Sequence, residues 1–273
     1  MMIVDKNKCI GCGLCVKDCF PNDIELVDGK AHIKNETCIK CGHCIAVCPK
    51  NAVFTDEYNM DDVKPYDKDT FDIDPENLLN FIKFRRTIRS FKNKDVENEK
   101  LLKIIEAGRF TQTGSNSQNV SYVVVKDKVS ELRDLVLETL KNMGEFILNS
   151  KEEMNPLYKR YANVWIQMYN ANKDSNSKDD KLFFNAPSLI MVVSDSEVNA
   201  SLAASNMELM TDALGLGTFF SGFFVRASQE NKAIKALLGL KETENIVNCM
   251  VIGYPNVKFQ RTVPRKAPVI TWR

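Results

Sequence analysis

Cys9-Ile-Gly-Cys12-Gly-Leu-Cys15-Val-Lys-Asp-Cys19 and Cys38-Ile-Lys-Cys41-Gly-His-Cys44-Ile-Ala-Val-Cys48 are near-copies of one pattern, C-x2-C-x2-C-x3-C. Three thiolates at that spacing let a short loop wrap one iron–sulfur cluster, while the fourth reaches a second cluster. Cys9, Cys12, Cys15 and Cys48 are therefore expected to hold one 4Fe–4S cluster, and Cys38, Cys41, Cys44 and Cys19 the other. Zinc sites also use C-x2-C pairs, but each takes four ligands, usually as two pairs set well apart. Two triplets with trailing cysteines do not divide that way. A disulfide framework needs an oxidising compartment and usually a short secreted chain. Pro49 directly follows Cys48, whereas Phe20 separates Cys19 from Pro21, so the first copy is the looser one. Clusters of this kind move electrons singly, and the rest of the chain is expected to deliver or consume them.

Between the two runs, Ile24-Glu-Leu-Val-Asp-Gly-Lys-Ala-His-Ile33 alternates around Asp28-Gly29, which predicts a β-hairpin. Gly11, Gly13, Gly42 and Ala46 are small enough for backbone amides to approach the cluster sulfides. His43 stands between two ligands, but the cysteines already fill the site, and a surface position is expected. Cys249, in the apolar run Ile246–Ile252, reads as a small buried hydrophobe in a strand. Residues 1–60 as a whole resemble the bacterial two-cluster ferredoxins.

A chain of 273 residues suits a small module followed by one ordinary domain. Apolar residues make up 44% of it, enough for a core. The formal charge of +1 argues against a nucleic-acid binder, which carries a strongly basic face. No apolar run is long enough to span a bilayer, and the first cluster motif leaves no room for a signal peptide. Thiols committed to clusters imply a reducing cytoplasm, in an oxygen-poor cell. From Asp56 to Glu76 acidic residues outnumber Lys64 and Lys68, with Pro65 and Pro75 as punctuation. Residues 61–75 are accordingly expected to be an extended acidic linker between a ferredoxin-like domain at 1–60 and a second domain at 76–273.

The second domain alternates helical and strand patterns. Helices are expected at 76–84, 97–107, with Gly108 as a C-cap, 130–143, 156–172, 198–214 and 229–238. Strands are expected at 120–125, 188–193, 218–221 and 246–252. Residues 170–180, rich in Asn, Lys, Asp and Ser, read as a mobile loop. The fold class is α+β, a small two-cluster domain followed by a sheet covered by helices.

Arg85-Arg86-Thr87-Ile88-Arg89 closes the first helix of that domain. Three guanidinium forks in five residues suit an anionic, phosphate-bearing ligand, although a basic helix end can also just answer its own dipole. Thr113-Gly114-Ser115-Asn116-Ser117-Gln118 is a polar turn before a strand, and Leu214-Gly-Leu-Gly217-Thr218 with Ser221-Gly222 permits close backbone approach. Gly253-Tyr-Pro255, then Arg261, Arg265 and Lys266, returns cations near the C-terminus. No dinucleotide or phosphate-loop fingerprint is present.

In that order these segments resemble the nitroreductase family of FMN flavoproteins over residues 76–273. The resemblance implies an intertwined homodimer with FMN at its interface. It places Arg85, Arg86 and Thr87 on the phosphate and ribityl chain, Arg265 or Lys266 over the phosphate, and Arg89 at the pyrimidine edge. Thr113, Gly114 and Asn116 would line one side of the ring, with Ser221 and Gly222 on the other. Many relatives carry Pro-Trp after the Gln of the second motif, where Asn119-Val120 stand here. Both histidines, His32 and His43, fall in the ferredoxin part, so no catalytic side chain is assigned. The expected activity is an oxidoreductase passing electrons between two 4Fe–4S clusters and FMN to reduce a nitroaromatic, quinone or activated alkene. A soluble ferredoxin or NAD(P)H would be the donor. The alternative is an electron-transfer adaptor relaying charge between proteins without a small substrate.

Overall fold

The computed structural model describes residues 1–151, 153–175 and 179–273. They group into two compact units: Met1–Asp74 with Thr113–Ser117, and Pro75–Gln112 with Gln118–Arg273.

In the first unit, β1 (Met2–Val4) pairs antiparallel with β4 (Val53–Thr55), and β2 (Ile24–Val27) with β3 (Lys30–Ile33). The β2–β3 turn uses Asp28 at φ 51° and Gly29 at φ 72°, the left-handed pair that a two-residue hairpin requires. Two short helices, α1 (Leu14–Asp18) and α2 (His43–Ala46), start at equivalent places in the two cysteine runs. Each follows a left-handed glycine, Gly13 at φ 74° and Gly42 at φ 75°. The core of the unit is small, with Met2, Ile24, Ala31, Ile33, Ala52 and Val53 packed among Cys9, Cys15 and Cys44.

The acidic stretch is less featureless than its composition predicts. Asn59 caps a 3-10 turn at Met60–Asp62, and Asp67 caps the one-turn helix α3 (Lys68–Phe71) by accepting from Asp69 N–H. Tyr66 O–H donates to Asp72 at 2.7 Å. Short Asx caps of this kind are local and need no core. Residues 63–75 are all exposed.

The second unit begins with α4 (Pro75–Phe84) and α5 (Asn98–Arg109). Then come β5 (Ser121–Val125), α6 (Val129–Asn149), α7 (Pro156–Asp174), β6 (Ser188–Val193) and α8 (Glu197–Ala213). The chain continues with β7 (Gly217–Phe220), α9 (Gly222–Glu230), α10 (Lys232–Leu237) and β8 (Ile246–Gly253). The sheet order is β5-β6-β8-β7, antiparallel throughout. β6 is buried along its whole length, as a strand covered on both faces must be. Leu189, Met191 and Val193 join Leu132, Val136, Leu140, Trp165 and Phe224 on one face. Ile190 and Val192 meet Ile104, Ala200, Ala204 and Met207 on the other. The two-residue period of the strand thus feeds two separate helix layers.

Three expectations change. Gly108 does not cap α5 but lies inside it, where an added Cβ would sit 2.6 Å from Tyr122 Oη and 2.8 Å from Met207 Sδ. It is a packing glycine. The helix expected at 229–238 is two helices broken at Asn231, whose side chain caps α10 by accepting from Ala233 N–H at 2.9 Å. The stretch expected to be a mobile loop at 170–180 is helical to Asp174, while residues 176–178 lie outside those described. Among the described residues no helix is long and apolar enough to cross a membrane.

Candidate functional site

The cysteines ring two apolar hollows. Cys9, Cys12, Cys15 and Cys48 line one, with Gly11, Gly13, Ala31 and Pro49. Cys19, Cys38, Cys41 and Cys44 line the other, with Pro21, Ile24, Ile33 and Gly42. Each hollow takes three cysteines from one run and the last cysteine of the other. The thiols surround a space instead of converging: among the described residues no three Cys, His, Asp or Glu side chains close on a single ion. Four cysteines around one hollow suit a polynuclear iron–sulfur cluster. All nine cysteines are free thiols.

Backbone amides point at the sulfurs. Ala31 N–H donates to Cys9 Sγ at 3.3 Å, Lys40 N–H to Cys38 Sγ at 3.4 Å and Ala52 N–H to Cys48 Sγ at 3.2 Å. The Ala31 bond lowers the Cys9 thiol. Burial, then the neighbouring Cys38 and Cys41, pushes Cys44 up to about 11. A group of that kind ionises only as metal binds, so cluster assembly releases its proton. His43 is exposed, and its Nδ1 lies 3.1 Å from Asp18 Oδ2. Cys249 is fully buried in β8, and burial drives its thiol far up, which makes it a core residue.

The arginine run follows α4 directly. Ile88 is the anchor: buried, its N–H donates to Thr218 O at 3.1 Å, and its side chain abuts Gly217. Around it the polar residues diverge. Arg85 Nη1 donates to Glu208 Oε1 at 2.7 Å, so one fork of Arg85 is engaged by α8. Arg86 Nη1 donates to the Arg85 carbonyl, yet its Nε is buried with no partner. Thr87 is exposed. The Arg89 guanidinium lies 5.5 Å from the centre of the Phe219 ring. Thr218 Oγ1, one strand residue before Phe219, is likewise buried and unpartnered. Two orphaned polar atoms beside a cationic run make a fit for an anionic, hydrogen-bonding ligand.

The other candidates are placed as follows. Ser221 is buried, caps α9 by accepting from Phe224 N–H at 3.4 Å, and donates its own N–H to Cys249 O at 2.8 Å. Gly222 opens α9 with clear space where a Cβ would be. These two follow β7 and so share its end with Phe219. Thr113, Gly114 and Asn116 belong to the cysteine-bearing unit, where Asn116 Nδ2 donates to the carbonyls of Ile39 and Lys40. Arg265 and Lys266 sit in the stretch 256–273, every residue of which is exposed.

Residue types alone did not single out Glu208 or Asp212, and marked Thr218 only as the end of a glycine-bearing run. The acids are one turn apart on α8 and face a cation distant in sequence. Burial raises Glu208, with Arg85 opposing. Burial, then the charge of Glu208, raises Asp212 to about 6, and its Oδ2 has no partner. Its folded value lies above the unfolded one, so its contribution to stability is present below about pH 4 and lost as pH rises through about 6. Asp212→Asn should therefore stabilise the fold at pH 7.5 by about 1 kcal/mol once solvent screening of this half-buried group is discounted, and raise Tm there. The gap should close near pH 4. A gap independent of pH would remove burial of the charge as its cause.

Residues 1–49 match the 4Fe-4S dicluster domain and residues 82–254 the Nitroreductase family. A protein of Archaeoglobus fulgidus named as an NADH dehydrogenase/NAD(P)H nitroreductase is 25% identical over 191 residues, 66% of this chain and 86% of that protein. The iodotyrosine deiodinase of Hydra vulgaris is 24% identical over 201 residues, 68% of this chain and 67% of its own length. The FMN-bound nitroreductase structure from Bacteroides fragilis superposes with a TM-score of 0.52 at 19% identity, covering 71% of this chain and 98% of that one. With its family match spanning most of its length, and a dicluster module ahead of it, this chain belongs to the nitroreductase family.

Proposed function

We propose that this iron–sulfur oxidoreductase passes single electrons between two 4Fe–4S clusters and FMN to reduce a small acceptor: a nitroaromatic, a quinone or an activated alkene. The observation that carries the reading is the pair of four-cysteine hollows, each built from both runs, in one chain with a nitroreductase domain. Cys9, Cys12, Cys15 and Cys48 would hold one cluster, and Cys38, Cys41, Cys44 and Cys19 the other. FMN, when bound, would interconvert one- and two-electron transfer.

The chain's own groups would do the positioning. Arg86, with its buried unpartnered Nε, and Thr87 would take the phosphate end, joined by the donors of Arg85 that Glu208 leaves over. Arg89 would place a fixed cation at the pyrimidine edge, where negative charge accumulates on reduction. Thr113, Gly114, Asn116, Ser221 and Gly222 would border the ring. Arg265 and Lys266 would close over the phosphate from the exposed tail. That tail and α4 support a homodimer: α4 exposes Leu78, Leu79 and Ile82, while Val269 is 100% and Trp272 89% exposed. Apolar residues so exposed, on a helix and on an arm, are suited to bury against a second copy.

The test is an anaerobic spectral titration of purified protein with NADH, NADPH and then reduced ferredoxin. A flavin band that bleaches on addition of one of these donors is the expected result. Bleaching only by ferredoxin makes the cluster domain the electron inlet; bleaching by a nicotinamide makes the clusters an exit. Protein reconstituted with FMN that shows no bound flavin would overturn the reading.

A further inference from the structure

We propose that Asn116 is a positioning residue for the second cluster, fixing the peptide whose N–H donates to Cys38 Sγ. The proposal rests on the cluster reading above and adds a residue from outside both cysteine runs.

Thr113–Ser117 is part of the cysteine-bearing unit, although far along the chain from the rest of it. Its backbone is costly. Ser115 at φ 51° and Asn116 at φ 53° are left-handed, as is Gln118 at φ 46° just beyond the segment. Asparagine tolerates that region, but Ser and Gln do not favour it, and such positions persist only when their surroundings over-determine them.

What the segment gains is a bidentate grip on the cluster loop. Asn116 Nδ2 lies 3.0 Å from Ile39 O and 3.0 Å from Lys40 O. Ile39 and Lys40 are the two residues between Cys38 and Cys41. The Ile39 carbonyl and the Lys40 N–H share one peptide plane and point in opposite directions across it. On the far side of that plane the Lys40 N–H donates to Cys38 Sγ at 3.4 Å. Asn116 therefore starts a chain, amide to carbonyl, then N–H to sulfur, in which each bond polarises the next. The second carbonyl holds Lys40 at φ 55°, a left-handed value that a lysine does not adopt without support.

The first run solves the same corner differently. The position equivalent to Lys40 is Gly11, at φ 69°, where the left-handed backbone costs little. A Cβ there would meet Gly29 O at 2.0 Å, and Cys9 receives N–H groups from both Ala31 and Gly11 itself. A glycine and a hairpin serve one cluster; a lysine braced by Asn116 serves the other. Hydrogen bonds to cluster sulfurs stabilise the extra electron and raise the potential. Loosening the Asn116 grip should thus lower the potential of one cluster alone.

The test is an EPR-monitored redox titration of the full-length holoprotein carrying Asn116→Gly or Asn116→Asp. Glycine keeps the left-handed backbone and removes only the amide; aspartate keeps the shape, removes both N–H donors and adds a negative charge, so glycine carries the magnitude. In both variants one cluster signal should shift to lower potential. The expected change is about threefold in the reduced-to-oxidised ratio at a fixed potential, or ~28 mV at 59 mV per tenfold for one electron. The moving signal should be the one that Cys19→Ala abolishes. Unchanged midpoints for both signals, or equal shifts in both, would overturn the assignment. Wild-type protein without cluster signals would overturn the cluster reading itself, and this inference with it.

Discussion

Cys48→Ala is expected to remove about half of the iron, leaving about four of about eight iron atoms per chain. The cluster lost should be that of the first cysteine run, although Cys48 closes the second. The hollows make the forecast specific, because Cys48 lines the same space as Cys9, Cys12 and Cys15. The pattern of double variants separates crossed from uncrossed ligation. With crossed ligation, Cys48→Ala combined with Cys12→Ala damages one site twice, so iron should stay at about four. Cys48→Ala combined with Cys41→Ala strikes both sites and should leave almost none. Ligands of one cluster act as a unit and are non-additive, while ligands of different clusters add. If each run held its own cluster, the two double variants would exchange results. Iron quantitation of anaerobically purified protein reads the outcome directly. The small core of this unit is interleaved with Cys9, Cys15 and Cys44, so each lost cluster should also lower the melting temperature.

What the sequence revealed and what it hid both follow from distance along the chain. The cysteine runs, the Asp28-Gly29 turn and the strand at Ser188–Val193 are local signals, and the turn and the strand are found where the sequence puts them. The break at Asn231 was local too, but Gln229–Leu238 has an uninterrupted helical period, and only the capping geometry shows two helices. Gly108 reads as a stop signal because its packing partners, Tyr122 and Met207, come from β5 and α8. The site follows the same rule. Arg85–Arg89 is visible as a cationic run, but Glu208 is 123 residues from Arg85. Nothing in α8 as a sequence marks two of its acids as half-buried. The resemblance points to Asn116 as bordering the flavin ring, whereas its grip on Ile39 spans 77 residues and shows only once the chain is folded.

Gly217→Ala is expected to weaken FMN binding by about tenfold, ~1.4 kcal/mol, although residue 217 need not touch the ligand at all. Gly217 has no left-handed φ, so an alanine backbone fits. The obstacle is space. Its Cβ would lie 2.5 Å from Ile88 Cγ1, 2.9 Å from Ile88 Cβ and 3.1 Å from Ile88 Cγ2. A flexible side-chain end could swing away, but a Cβ is tied to its backbone and a β-branched χ1 is stiff. Ile88 is also fixed by its N–H bond to Thr218 O. Relief must come from moving the segment that carries Arg86, Thr87 and Arg89, at a packing cost of about 1–3 kcal/mol. Gly215→Ala is the discriminating control. Gly215 has φ 71° with nothing within 4 Å of its Cβ position, so alanine there strains the backbone without pressing on Ile88. Both variants should melt earlier, but only Gly217→Ala should lose flavin, measured by equilibrium titration of flavin-stripped protein with FMN. Gly217→Ala/Ile88→Ala, which removes the closest methylene, should recover part of the affinity. Wild-type FMN affinity in Gly217→Ala would mean that the arginine run is not what holds the flavin, and the phosphate would have to be sought elsewhere in the second unit.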